Sequence, residues 1–329
     1  MKNVKTHLTV FFKGIAMGAA DVVPGVSGGT IAFITGIYET LLDSINGINL
    51  GLLKILKKEG IAAAWKSFNG NFLVALFAGI GISLLGLAQA IEWLLESEPI
   101  KLWAFFFGLV LASIIYIGRQ LEKWGFGVVL CLLIGTAAAY TVTILPPFGS
   151  SDEPWYLFIC GMIAICAMIL PGISGSFILL ILGAYQPVIE ALSERNFTLL
   201  AVVAAGCVVG LLSFSKLLKW LFVKFKNLTI AVLTGFLIGS LNKIWPWKKV
   251  EQVFVKHAGT DDEKIQSVME ISVLPNSEYG TIATYNKSGE VLTYSNQDPQ
   301  LLWALVLIIA GFSIIFIMEF VANKLKKNA

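Results

Sequence analysis

Long uncharged stretches recur along this chain of 329 residues and define its class. Windows such as 102–118, 197–215 and 301–318 contain no charged residue. Each is close to the ~20 apolar residues that a helix needs to cross a bilayer. The apolar positions are continuous, whereas the strands of an outer-membrane barrel alternate about every second residue. The pattern therefore predicts an all-α polytopic membrane protein.

A repeated segment divides the chain into two halves. The sequence PGVSGGTIAFITGIYETLLDSI from Pro24 returns without a gap as PGISGSFILLILGAYQPVIEAL from Pro171. Apolar composition alone does not align Pro, Gly, Ser, Gly and Tyr in one register. Further matches downstream follow a second, shorter offset, which pairs Gly108 with Gly235. We therefore predict two homologous domains, 1–150 and 151–329.

A Pro-Gly-x-Ser-Gly element interrupts an apolar run in each half. As one helix, the uncharged stretch 155–189 would be about 52 Å long, whereas the hydrocarbon core is about 30 Å thick. Pro171 removes a backbone donor and Gly172 permits unusual backbone angles, so the run is expected to break there. The predicted segments are a re-entrant helical hairpin at 155–192, with arms at 155–170 and 176–192, and its counterpart at 8–45.

Three ordinary membrane spans are predicted after each hairpin. They are expected at 72–95, 102–118 and 126–147 in the first half, and at 198–222, 228–245 and 301–321 in the second. A hairpin returns the chain to the side on which it started. Three further crossings then place the second half in the opposite orientation, which is the inverted-topology repeat common in secondary transporters.

The distribution of lysines predicts the orientation of the chain in its membrane. Lysines concentrate near both termini and in the segments 46–70 and 216–227, which the positive-inside rule places in the cytoplasm. The polar insertion 246–300 has β-like runs and is predicted to lie outside as a small extracytoplasmic cap. A passive loop without a function is the alternative for this insertion.

Composition narrows the chemistry further. Hydrophobic residues make up 57% of the chain and charged residues 14%, against roughly 25% charged in soluble proteins. Mean hydropathy is +0.79. The net charge of only +3 does not point to nucleic acid as a partner. The four cysteines lie in apolar stretches and there are two histidines, so we predict no metal site and no cofactor.

The two hairpin tips carry the residues of a candidate anion site. Backbone N–H groups at a helix start favour phosphate or carboxylate. The tips add hydroxyl donors and allow close approach to the backbone. The hydroxyl residues are Ser27, Thr30, Ser174 and Ser176, and the glycines are Gly25, Gly28, Gly29, Gly172 and Gly175. Small residues of this kind also permit tight turns and close helix packing in membranes, which is the alternative interpretation.

These motifs resemble a known family. The segments GAADVVPGVSGGTIAFITGIYE and LPGISGSFILLILGAYQPV are similar to the paired signatures of the PopT-type polyprenyl-phosphate translocases, and the resemblance extends over nearly the whole chain. It implies a transporter that returns undecaprenyl phosphate, the lipid carrier of cell-envelope precursors, from the outer to the inner leaflet. The motif residues of the family correspond here to Pro24, Gly25, Ser27, Gly28 and Gly29, and to Pro171, Gly172, Ser174 and Gly175.

An enzyme remains the alternative to a transporter. Membrane undecaprenyl-pyrophosphate phosphatases also have inverted repeats, re-entrant hairpins and a PG-x-S-R-S signature. Gly28 and Gly175 stand where that signature has its arginine. An arginine fork binds pyrophosphate and stabilises charge during phosphoryl transfer, so its absence favours the transporter. A channel is disfavoured because the sequence shows no ring of like charges.

Three ionisable residues are candidates for a charge role, because such residues inside apolar sequence are often functional. Asp21 precedes Pro24 and has no counterpart in the second half; it is either a proton carrier or a structural cap. Glu39 is a weaker second candidate for coupling. Arg119 lies at the cytoplasmic end of a predicted span, where it either snorkels towards the interface or contacts the phosphate.

Overall fold

The computed structural model describes residues 2–22, 27–146, 151, 153–256, 264–275, 280–285, 291–296 and 298–327. The helices of the first half are α1 (Lys2–Val22), α2 (Gly28–Ile34), α3 (Tyr38–Gly47), α4 (Leu50–Glu59), α5 (Ile61–Ser67), α6 (Gly70–Ser97), α7 (Pro99–Gly118) and α8 (Phe126–Ile144). Those of the second half are α9 (Pro154–Ile169), α10 (Gly175–Ile181), α11 (Tyr185–Ser193), α12 (Phe197–Ser240) and α13 (Leu301–Lys327). The strands are β1 (Lys248–Lys256), β2 (Lys264–Ser272), β3 (Gly280–Tyr285) and β4 (Val291–Asn296).

The chain is a multi-pass α-helical membrane protein. Among the described residues, α6, α7, α8 and α12 are long and apolar enough to cross a bilayer. The 44-residue helix α12 contains a non-helical residue, Phe225, with φ −134° and ψ 41°. This break divides α12 into a first arm, 197–224, and a second arm, 226–240, where the sequence predicts two separate spans. Helices α9 and α13 add shorter apolar stretches.

The hairpins are more broken than the sequence predicts. The single helical arm expected at 176–192 is wrong, because α10 and α11 meet at an angle of 109°. Gly183 lies in the turn between them with φ +66°. Gly36 takes φ +70° in the corresponding turn between α2 and α3. Glycine adopts this left-handed conformation without steric cost, which explains why the chain turns at these two positions.

Two antiparallel ribbons form the predicted β-rich insertion. β1 pairs with β2, and β3 pairs with β4. We call this segment, 246–300, the cap. The buried Trp247 packs with Ile100 of α7 and Ala304 of α13, and its indole N–H donates to the Pro299 carbonyl at 2.9 Å. The cap is therefore fixed to the ends of two helices.

Close glycine contacts join α1 to α6. A Cβ placed on Gly14 would lie 2.3 Å from the carbonyl oxygen of Leu76. One placed on Gly79 would lie 2.1 Å from the carbonyl oxygen of Phe11. No larger residue fits at either position without separating the helices. Small residues at helix interfaces allow this close backbone approach in membranes.

The same arrangement joins α9 to the first arm of α12. A Cβ on Gly161 would lie 2.6 Å from the carbonyl oxygen of Val203. A Cβ on Gly206 would lie 2.1 Å from the carbonyl oxygen of Phe158. Each hairpin is thus packed against the first long helix that follows it.

Contacts between the halves involve the remaining long helices. A Cβ placed on Gly108 of α7 would lie 2.0 Å from the carbonyl oxygen of Ile308 in α13. A Cβ placed on Gly235, in the second arm of α12, would lie 2.3 Å from the carbonyl oxygen of Leu132 in α8. Each of these two close pairs therefore consists of one helix from each half.

Candidate functional site at the hairpin tips

The two hairpin tips bond directly to each other. Ser27 caps the start of α2, where its Oγ accepts the N–H of Gly29 at 3.0 Å. The same hydroxyl lies 3.1 Å from the carbonyl oxygens of both Met168 and Leu170, at the end of α9. Ser27 is 1% exposed. The Ser27 side chain therefore connects the first tip to the second in the protein interior.

A second bond crosses between the tips in the opposite direction. The Gly172 N–H donates to Oγ1 of Thr30 at 3.0 Å, and Thr30 is fully buried. Gly172 has φ +88°, and a Cβ there would lie 2.9 Å from the Ser240 hydroxyl oxygen. Both the conformation and the space at this position require glycine. The second tip thus touches α2 on one side and the second arm of α12 on the other.

Two charged residues of α1 bracket α2. The Gly28 N–H donates to Oδ1 of Asp21 at 2.7 Å, and the Lys13 ammonium donates to the Thr35 carbonyl at 2.6 Å. An anion at a helix start and a cation at its end both interact favourably with the helix dipole. Asp21 therefore lies where a structural cap of α2 would lie, which is one of the two roles that the sequence suggests for it. Its proton exchange stays a prediction.

The second tip lacks the Asp21 part of this bracing, whereas the end of α10 keeps a side-chain contact, because the Tyr156 hydroxyl of α9 donates to the Leu182 carbonyl. Met168 stands at the position of Asp21, and the Ser174 side chain does not cap α10. Its hydroxyl lies 2.9 Å from that of Ser176, and Ser174 is 6% exposed. A Cβ on Gly175 would lie 2.9 Å from the Ala164 carbonyl oxygen. The aligned serines of the two motifs therefore have different partners.

The structure brings most of the predicted site residues together at this junction. Pro171 is buried there, as are Gly28 and Gly29. The groups expected to face an anion at the first tip bond instead to protein, since the Gly28 and Gly29 N–H groups and the Ser27 hydroxyl all have partners. Pro24 and Gly25 lie outside the described residues.

A cavity of 330 Å³ lies beside the second tip, between the spans and the cap. We call it the Lys243 cavity. Its lining includes Tyr140, Thr143, Ile144, Phe177, Leu180, Asn242, Lys243, Glu270 and Ser272. A space of only 10 Å³ next to it is lined by Gly172, Ser174, Ser240 and again Lys243. Lys243 thus separates the cavity from the second tip.

A second cavity, of 620 Å³, lies where α2 ends. We call it the Arg119 cavity. Its lining is Phe33, Gly36, Tyr38, Glu39, Thr40, Tyr116, Arg119, Gln120 and Glu319. The Arg119 guanidinium lies 5.3 Å from the centre of the Phe316 ring. Glu39 lies 3.8 Å from Lys226, but both are more than half exposed, so this ion pair contributes little to stability. Arg119 and Glu39 therefore share one cavity, away from the tips.

The two cavities lie at opposite ends of the same helix. Lys226 begins the second arm of α12 beside the Arg119 cavity, and Ser240 ends it beside the Lys243 cavity. This arm of helix spans about 20 Å. Helix α2 runs from the tips to the Arg119 cavity, whereas α10 runs from the tips to the Lys243 cavity. The tips therefore lie between the cavities.

Lys243 and Glu270 are the charged residues of this region that sequence reasoning missed. Lys243 lay inside the predicted span 228–245, where an ionisable residue in apolar sequence was a usable signal. Glu270 carried no such signal, because it stands in the polar insertion. Among the described residues, no group of three or more His, Cys, Asp or Glu side chains is arranged to hold a metal ion.

The described residues thus form a polytopic helical membrane protein in which two broken hairpins meet tip to tip. The sequence model of one family, VCA0040-like and described as undecaprenyl phosphate translocase-like, matches residues 17–262. A Vibrio cholerae protein named polyprenyl-phosphate transporter is 45% identical over 320 residues, which cover 97% of this chain and 98% of the relative. The chain therefore belongs to this family.

A more distant relative carries the same name. A polyprenyl-phosphate transporter of Staphylococcus aureus is 33% identical over 252 residues, which cover 71% of this chain and 84% of that protein. No solved structure matches the chain.

Proposed function

We propose that this protein transports a polyprenyl phosphate, namely undecaprenyl phosphate, from the outer to the inner leaflet of the bacterial plasma membrane. The names of the two relatives and of the family support the substrate. The structural observation that carries the proposal is the pair of cavities on either side of the hydrogen-bonded tips. A transporter that alternates between the two sides needs a closed centre with an access route at each end.

The proposal includes two inverted repeats, 1–150 and 151–329, because glycine contacts recur at the offsets of the sequence repeat. Gly14 and Gly161 are separated by the same offset as the two Pro-Gly-x-Ser-Gly motifs. The carbonyls that they face, those of Leu76 and Val203, are separated by the shorter offset of the downstream matches. Such agreement between sequence register and three-dimensional contact supports a common ancestry of the halves.

The contacts between halves are reciprocal in the same way. Gly108 and Gly235 correspond to each other at the downstream offset of the repeat. Gly108 faces Ile308 in the last span of the second half, and Gly235 faces Leu132 in the last span of the first half. The second of the three spans in each half thus packs on the third span of the other half. A two-fold relation between the halves produces this exchange.

We place the phosphate of the substrate between the two tips, with the prenyl chain left in lipid. The tips carry neutral donors that replace the hydration of a phosphate at fixed positions. In this structure the Ser27 hydroxyl and the Gly172 N–H donate to acceptors on the opposite tip, so binding of a phosphate by these groups requires the tips to separate. The proposed contact residues are Pro24, Gly25, Ser27, Gly28, Gly29, Thr30, Pro171, Gly172, Ser174, Gly175 and Ser176. Rocking of one half against the other then exposes the site to either side.

Asp21 is the proposed proton-coupling residue, and Glu39 and Arg119 have supporting charge roles at the Arg119 cavity. Asp21 is the carboxylate that directly contacts a tip, through the Gly28 N–H. Asp21→Asn keeps an acceptor oxygen for this bond but cannot take up a proton. Transport by the variant is expected to lose its dependence on a proton gradient. Unchanged dependence would assign Asp21 to structure alone.

Both termini and the segments 46–70 and 216–227 are proposed to lie in the cytoplasm, and the cap outside. Single cysteines at Asn49 and Glu251, both exposed, test this orientation in a background without the four native cysteines. A membrane-impermeant thiol reagent is expected to label them from opposite sides of the membrane. Labelling of both from one side would contradict the inverted arrangement.

Phosphatase activity is the competing function, and one assay separates the two. Purified protein in liposomes is given a labelled polyprenyl phosphate in one leaflet, and its movement is followed in parallel with phosphate release from undecaprenyl pyrophosphate. Movement without release is the expected result. The absence of an arginine at Gly28 and Gly175 leaves the tips without the fork that pyrophosphate chemistry uses. Release without movement would overturn the transporter proposal.

A further inference from the structure

Lys243 occupies an unusual position for a lysine at the end of a membrane span. Such lysines ordinarily extend into water and expose the ammonium group. Here the side chain is 16% exposed and is covered by the cap. Its ammonium lies 4.7 Å from the centre of the Phe177 ring on α10. The positive charge is therefore held at the boundary between the Lys243 cavity and the second tip.

The partner of this lysine comes from the cap. Oε2 of Glu270, on β2, lies 3.0 Å from the Lys243 ammonium, and Glu270 is 21% exposed. Removing two charges from water costs about as much as their attraction returns, so a buried ion pair of this kind gives little net stability. Stability alone thus does not explain why a carboxylate of the cap reaches this lysine.

The charge around Glu270 is unbalanced in favour of an anion. Lys248 of β1 is largely buried and donates to the Asn242 carbonyl and, at 2.8 Å, to the Ser272 hydroxyl. The pKa of Lys248 is lowered to about 8, mainly by burial. The charge of Glu270 opposes this shift, and the charge of Lys243 adds to it. Two cations therefore act on one carboxylate among the described side chains here. A phosphate monoester carries about 1.5 to 2 negative charges at pH 7 and matches this pair better than a carboxylate does.

The cavity has room for a headgroup and a lipid-facing wall. Its volume of 330 Å³ lies at the lower end of the ~300–1,000 Å³ that is usual for small-molecule sites. Tyr140 and Ile144 line it on α8 and are themselves about half exposed on the apolar surface of the spans. A headgroup beside Lys243 can therefore keep its hydrocarbon chain in the bilayer.

We infer that Lys243 receives the phosphate monoester headgroup of a lipid on the cap side, and that Glu270 occupies this lysine until the headgroup displaces it. The inference rests on the proposed function and adds to it a receiving residue and a competing carboxylate. Lys243 also lines the small space at Gly172 and Ser174, so a headgroup bound to it lies next to the second tip. Opening of the tips then transfers the phosphate to the central site.

The test compares binding by the intact, purified protein in detergent with Lys243 and Glu270 changed separately. Calorimetry measures the Kd for geranyl phosphate, a short soluble prenyl phosphate. Lys243→Gln is expected to weaken binding at least tenfold, and Lys243→Arg to remain within about threefold of the wild type. Glu270→Gln is expected to tighten binding by about threefold or more, because it removes the competitor.

Lys101 supplies a matched control on the same side of the protein. It also pairs with a glutamate, Glu98 at 2.8 Å, and lies 5.8 Å from the centre of an aromatic ring, that of Trp303. Lys101→Gln is expected to bind geranyl phosphate as the wild type does. Geraniol, which lacks the phosphate, and inorganic phosphate, which lacks the chain, are both expected to bind at least tenfold more weakly than geranyl phosphate.

Opposite effects of the two changes exclude misfolding as an explanation. Wild-type affinity in Lys243→Gln, or equal weakening in Lys243→Gln and Glu270→Gln, would overturn the inference and leave the ion pair as a tether for the cap. Equal binding of inorganic and geranyl phosphate would also overturn it, because the ligand would then be free phosphate. No binding of geranyl phosphate by the wild type would have the same consequence.

Liposome transport separates this inference from the proposed function. If the wild type moves polyprenyl phosphate between leaflets but Lys243→Gln binds geranyl phosphate normally, the inference alone fails. If binding depends on Lys243 as expected but no lipid moves, the proposed function alone fails and Lys243 remains a lipid-phosphate site.

Discussion

The two aligned serines, Ser27 and Ser174, are expected to respond differently to replacement by alanine. Ser27→Ala removes the cap of α2, which costs about 1 kcal/mol, within a range of about 0.5 to 2. It also removes the buried bond to the end of α9, which adds about 1 kcal/mol and more where a buried group is left without a partner. The free energy of unfolding is therefore expected to fall by about 2 to 4 kcal/mol.

Ser174→Ala loses much less structure. Its hydroxyl pairs with Ser176 and does not cap α10, so the expected loss is about 1 kcal/mol or less. Because Ser174 lines the space next to Lys243, this change is instead expected to weaken geranyl-phosphate binding more than Ser27→Ala does. The structure thus separates a serine that bonds across the junction from one that borders the small space next to Lys243.

Unfolding in mixed micelles with increasing sodium dodecyl sulfate measures the stability difference, and calorimetry on the folded variants measures binding. The difference in unfolding free energy between the variants is expected to be roughly 1 to 4 kcal/mol, with Ser27→Ala the less stable. Equal unfolding free energies, or a larger loss for Ser174→Ala, would refute the assignment of different partners to the two tips.

Three further predictions concern packing, turns and charge. Gly79→Leu is expected to destabilise the protein by about 2 kcal/mol or more, because the added Cβ meets a carbonyl oxygen of α1. Gly86→Leu is the control: this position on the same helix has open space around it, so the change is expected to be neutral or stabilising in the same unfolding assay. Gly36→Ala is expected to lower the free energy of unfolding by about 1 kcal/mol, because alanine disfavours the φ of +70° although there is space for its Cβ. Gly36→Asn is expected to lower it less, because asparagine adopts this conformation more readily. Affinity for geranyl phosphate is expected to be nearly constant between about pH 7 and 8, where the phosphate is close to doubly charged, and to fall above pH 8 as Lys248 loses its proton. A titration of Lys248→Met that still shows this fall would contradict the assignment.

Continuous apolar sequence predicts the long helices well because a bilayer imposes one requirement on all of them. The expected span 102–118 falls within α7 (Pro99–Gly118), and 72–95 falls within α6 (Gly70–Ser97). Any run of ~20 apolar residues satisfies its backbone by forming a helix, whatever its neighbours are. Helix existence is thus a local property here and can be read from composition.

The turns and partners of the hairpins depend on tertiary structure and were predicted less well. Glycine at 36 and 183 was visible as part of the repeat, but its positive φ and the 109° bend after α10 were not. The partner of Lys243 lies in the cap, on a strand well beyond the end of the span. No local pattern relates a lysine at a span end to a glutamate on a distant strand.

The difference between the tips has a mechanical consequence for the proposed transport cycle. The first tip is held by Asp21 and by Ser27, so its helix α2 is bound at its start to both hairpins. The second tip has no equivalent of Asp21, and Ser174 bonds to Ser176 on its own helix. Among the described residues, the start of α2 is therefore bonded to the first arm of its own hairpin through Asp21, whereas the start of α10 has no such side-chain cap, although its end accepts the Tyr156 hydroxyl. Since the second tip is also the one beside the Lys243 cavity, we expect the start of α10 to be the part that moves when a headgroup arrives from the cap side.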